Sequence, residues 1–134
     1  MTEQSPSPVQ GLRWVLRAGA AVFGASAVVL LVAPAFFLTL LALPATADLE
    51  WAMRMIAITL VALTGNMAVV SFSASDRGVL VASGVMLFAA GALGFLTLMI
   101  PADVTWFTVG YALVGFGFSS AYLVGLALRL RPGR

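Results

Sequence analysis

The sequence predicts an all-α integral membrane protein, an up-down-up-down bundle of four transmembrane helices with both termini in the cytoplasm. Three observations predict it. Hydrophobic residues make up 62% of the 134-residue chain and charged residues 9%, whereas soluble domains are about 45–50% apolar and about 25% charged. A soluble core of this size cannot hide that much apolar surface. Four apolar runs each reach or exceed the roughly 20 residues that cross the hydrocarbon core as a helix. The turns between them are short enough to force consecutive helices to be antiparallel neighbours.

Residues 1–11 are polar and proline-bearing and lack periodicity, so they read as a disordered tail. The transmembrane domain occupies residues 12–130. Its first helix is expected over 15–43, entered through Arg13, Trp14 and Arg17, with tilt or a kink at Pro34. That run is longer than the roughly 7–15 apolar residues of a cleaved signal. An acidic loop follows, in which Asp48 is the candidate N-cap and Glu50 sits near the positive end of the next helix. The second helix is expected over 50–73, the third over 78–100 after the polar turn at Asp76 and Arg77, and the fourth over 104–130 after Pro101. Residues 131–134 form a basic end.

All seven basic residues are arginines. Arg13, Arg17, Arg77, Arg129, Arg131 and Arg134 fall on one side of the predicted bundle and Arg54 alone on the other, which by the positive-inside rule makes this a protein of the cytoplasmic (inner) membrane with both termini inside. Trp14, Trp51 and Trp106 lie near helix ends, as interfacial aromatics do. Scattered arginines with no basic run do not describe a nucleic-acid surface. The chain has no cysteine and no histidine, which removes thiolate chemistry, imidazole ligation and the common general base. No cofactor, metal or catalytic residue is therefore expected, and the expected partners are the lipid bilayer and other membrane-embedded subunits.

Polar residues within the apolar runs are the candidate sites. Glu50 and Arg54 stand at i, i+4 with the acid first, an arrangement that favours an interfacial ion pair, although Arg54 could also meet an anionic lipid headgroup. Thr59, Asn66 and Ser73 share a face of the second helix, and Arg54 points about 120° away from Asn66. Asn66 is expected to tie the second helix to a neighbour through its amide. In the fourth helix Gly110, Gly117, Ala121 and Gly125 cluster within about 80° of arc and form a small-residue face for close helix contact, with a helix of the same chain or with another subunit. Ser119 and Ser120 are expected to bond carbonyls of their own helix.

The charged entry to the second helix from Glu50 to Arg54, the Asp76-Arg77 turn and the glycine-rich third and fourth helices together resemble the small four-span bacterial inner-membrane proteins grouped around DoxX-like families. The resemblance implies a membrane location and carries over no functional residue. The expected function is non-enzymatic: an accessory or scaffold subunit, or a homo-oligomer, that acts by helix packing. The alternative is a small uncoupled transporter, or a protein that binds lipid or an anionic headgroup through Arg54. Proton-coupled export of the kind four-helix multidrug exporters perform needs a membrane-embedded glutamate, and the first helix has no acid.

Overall fold

In a computed structural model the chain is described over residues 9–131. The tail expected over 1–11 therefore lies outside the described residues as far as residue 8, and so do residues 132–134 of the basic end. Five helices are present among the described residues: α1 (Gln10–Val32), α2 (Pro34–Leu40), α3 (Ala47–Ser73), α4 (Asp76–Leu98) and α5 (Trp106–Leu130). All but α2 are long and apolar enough to cross a bilayer.

Two expectations about the first segment are corrected. Helix begins at Gln10, inside the expected tail, because Val9, Leu12 and Leu16 are all buried in the core. The single helix expected over 15–43 is two helices, broken at Ala33. Pro34 lacks the N–H that would bond back to the preceding turn, and it disfavours helical backbone at the residue before it. Ala33 accordingly leaves helical geometry (φ −134°, ψ 60°), and Pro34 opens α2. α2 ends at Leu40, and Ala42 just beyond its cap adopts φ 57°. Leu43 N–H reaches the Leu38 carbonyl (2.9 Å) and Ala42 N–H the Thr39 carbonyl (3.0 Å), the paired bonds of a left-handed helix stop that glycine usually makes.

The other helices start on hydroxyl caps. Thr46, rather than Asp48, caps α3 by accepting from Leu49 N–H (3.4 Å), which places Asp48 and Glu50 in the first turn beside the positive helix end. Ser75 accepts from Gly78 N–H (3.3 Å) at the start of α4. Thr105 and Thr108 form a reciprocal box at the start of α5, each hydroxyl accepting from the other's backbone N–H.

Consecutive long helices run antiparallel in two tight pairs. In the first pair Gly19 lies against Met67, Gly24 against Thr64 and Arg13 against Ser71, so α1 rises as α3 descends. In the second, Gly94 meets Ala112, Gly115 meets Ala90 and Ser119 meets Leu87. The pairs join along a core of Leu12, Leu16, Phe23, Met67, Met86 and Tyr122, near the end where α1 starts and α5 stops. A second cluster of Leu30, Phe37, Leu41 and Ala57 closes the far end, where α2 folds under α5. There Phe37 meets the rings of Phe107 and Tyr111 edge-on at 5.4 and 5.8 Å.

Candidate functional site

The polar residues divide between ties inside the bundle and groups turned outward. At the near end Arg13 holds three elements together. Its guanidinium donates to the carbonyls of Ser71 (3.1 Å) and Ala74 (2.8 Å), where α3 ends, and to Asp76 Oδ1 (3.2 Å), where α4 begins. The last carbonyls of a helix have no partner within it, and they form its negative end. Arginine's rigid fork presents donors from separate nitrogens to them, whereas the three donors of a lysine ammonium radiate from one atom. Arg17 adds a longer bond to Ser71 O (3.4 Å), and its guanidinium lies 4.2 Å from the Phe72 ring centroid and 5.0 Å from that of Trp14. As sequence, Arg13 and Arg17 read only as topology markers. Their structural role follows from a neighbour about 58 residues away, and no local signal could have revealed it.

At the far end Thr105 performs the corresponding task. Besides capping α5, its hydroxyl donates to the Leu40 carbonyl at 2.7 Å, so one oxygen links the start of α5 to the end of α2. Thr105→Val keeps the shape and removes both bonds. The expected loss is about 1–2 kcal/mol, read as a lower thermal midpoint of the purified protein in detergent. An unchanged midpoint would show that the linkage contributes nothing.

Glu50 and Arg54 approach to 3.7 Å at the far end, with the Arg54 side chain 48% exposed. Among the described residues Asn66 does not tie α3 to another helix of the chain. It is exposed, and its Nδ2 donates to the Ala62 carbonyl of its own helix (3.0 Å). The expected interhelical bond is made instead by Ser119, whose hydroxyl donates to the Leu87 carbonyl of α4 (2.9 Å) and not to its own helix. The pattern of bonding back three or four residues does hold at Ser26, Thr39, Thr59, Thr64, Ser71 and Thr97. Arg54 and Asn66 line no common cavity among those found.

The expected small-residue face divides in the same way. Among the described residues a methyl added at Gly110 or Gly117 would meet nothing within 4 Å, so neither is a point of close helix approach there. Gly125 packs on Leu12 of α1. The close approach within the α4/α5 pair belongs to Gly115, a methyl on which would sit 2.9 Å from both Ala90 O and Gly94 N. Gly115 lies outside the stripe that the spacing picks out, because small residues line more than one side of α5. Gly117 and Ala121 instead floor an open apolar groove of about 470 Å³ between α1 and α5, flanked by Trp14, Ala18, Val22 and Phe118.

Three buried polar atoms make no hydrogen bond among the described residues: Arg17 Nε, Ser83 Oγ and the Tyr122 hydroxyl. At Gly19 the tight neighbour is Met67, whose Cε would lie 2.6 Å from an added methyl, while the Tyr122 hydroxyl would lie 3.4 Å away, an ordinary contact. Among the described residues no three His, Cys, Asp or Glu side chains converge in a way that could hold a metal ion.

The class these features define is an all-helical fold among the described residues, with four helices long and apolar enough to cross a membrane. No protein-family model matches the chain, and neither does any curated protein or solved structure.

Proposed function

We propose that the chain crosses the cytoplasmic membrane four times with both termini inside and acts, without enzymatic activity, as an accessory or scaffold subunit or as a homo-oligomer. The orientation rests on the arginines. Arg13, Arg17, Arg77, Arg129 and Arg131 lie at or near the end where α1 starts and α5 stops, and Arg54 alone lies at the other. One observation carries the functional reading. The polar side chains Arg13, Thr105 and Ser119 are bonded within the fold, while Gly110 and Gly117 are exposed and a methyl on either would meet nothing among the described residues. Small residues on an outward helix face allow another helix to approach closely.

Arg54 supports a second reading. Half exposed and only loosely paired with Glu50, it keeps donors free for an anionic headgroup. Capture of the tagged chain from its native membrane in mild detergent should return a stoichiometric second membrane polypeptide, or the chain as an oligomer. Recovery as a lone monomer that conducts solute in proteoliposomes would sink the packing reading. Loss of binding to anionic-lipid vesicles in Arg54→Gln would favour the second.

A further inference from the structure

We infer that a second copy of this chain docks along α3, in a parallel two-fold dimer whose seam is Met55, Thr59, Ala62, Asn66, Val69 and Ser73 and whose register is set by paired Asn66 amides. This rests on the packing function proposed above and names its partner and surface.

The six positions advance by steps of four, three, four, three and four, the heptad spacing of a left-handed coiled-coil seam. All six are exposed, and Asn66 also edges an open cavity that Ala82, Val85 and Met86 of α4 share. From Met55 to Ser73 the stripe rises about 27 Å, close to the roughly 30 Å of a hydrocarbon core. Small side chains at Thr59, Ala62 and Ser73 would let two backbones come together.

What identifies the occupant is the Asn66 amide. One of its donors is held by the Ala62 carbonyl, and its Oδ1 accepts no hydrogen bond among the described residues. An amide turned toward lipid leaves that acceptor unpaired, a penalty that a protein partner relieves. An amide carries donor and acceptor together and is therefore complementary to itself. Copies inserted with the same orientation meet across an axis along the membrane normal, which makes the two α3 helices parallel and sets identical residues opposite one another. Asn66 Nδ2 of each copy then donates to Oδ1 of the other, the register-setting use of a single polar residue in a coiled coil. The outward side of α5 carries the Ser120 hydroxyl but no side-chain amide.

The chain has no cysteine, so single-cysteine variants report unambiguously. In native membranes Ala62→Cys and Val69→Cys should give dimers with a short thiol crosslinker, while the off-seam controls Val61→Cys and Leu113→Cys should not. Asn66→Leu should weaken dimerisation about three- to twenty-fold. Because Asn66 bonds only its own helix, that variant should keep the thermal midpoint of the detergent-solubilised monomer. Equal crosslinking at Val61 and Leu113, no dimer from Ala62 or Val69, or an Asn66→Leu dimer of unchanged strength overturns the inference. A different polypeptide crosslinked at Ala62 and Val69 overturns the homodimer and leaves the accessory function standing. A chain without a partner of either kind removes both.

Discussion

Gly115→Ala should destabilise the protein by about 1–3 kcal/mol, the range of overpacked cores, while Gly117→Ala, two residues along the same helix, should be neutral or slightly stabilising. The added methyl at Gly115 would lie 2.9 Å from Ala90 O and Gly94 N and 3.0 Å from Gly94 Cα. All three are backbone atoms of α4, so no side chain can swing aside and the two helices must separate. Separation would also stretch the Ser119 to Leu87 bond one turn away. At Gly117 a methyl meets nothing, and alanine is favoured over glycine inside a helix by about 1 kcal/mol. Thermal unfolding of both variants in the same detergent reads the difference. Equal effects would mean that α4 and α5 do not meet in the register described.

Removing the Arg13 guanidinium has an expected effect of comparable size. Arg13→Met retains the apolar stem but strips the Ser71 and Ala74 carbonyls of their donor, for an expected loss of about 2–3 kcal/mol, since hydrogen bonds to charged groups contribute about 1.5–3 each. Arg13→Lys should recover less than half, because one nitrogen does not reproduce the two that Arg13 uses, Nη1 on Ser71 O and Nη2 on Ala74 O and Asp76. Asp76→Asn should cost under about 1 kcal/mol, because its side chain is 55% exposed and the ion pair is screened. Unfolding in detergent separates this folding role from any effect on insertion. A midpoint unaffected by Arg13→Met would leave Arg13 as a topology marker only.

The long helices were legible because their causes are local. Apolar runs, the polar turn at Asp76 and Arg77 and the break at Pro101 all act within a few residues of where they stand. The break at Pro34 was legible as a kink. Its full consequence, a separate α2 folded beneath α5, needed the Phe37, Phe107 and Tyr111 rings and the Thr105 to Leu40 bond, which join segments about 65 residues apart.

The candidate site was less legible, for a geometric reason. Periodicity reports which residues share a helix face, but in a chain that is apolar all round it does not say whether that face meets protein or lipid. Asn66 and Ser119 exchange their expected roles for this reason: the amide faces out and bonds its own helix, and the hydroxyl crosses to α4. Gly115 and Gly117 differ in the same way.

By itself, then, the sequence determined the class of the protein, the number of long apolar helices and their alternating course, because the length and hydrophobicity of a segment and the shortness of a turn are properties of the chain alone. Only the tertiary structure decided which glycine carries the close contact, which arginine caps a distant helix and which polar group is left facing outward. Those depend on the rotation of each helix about its own axis, which is set by contacts between residues far apart in the chain.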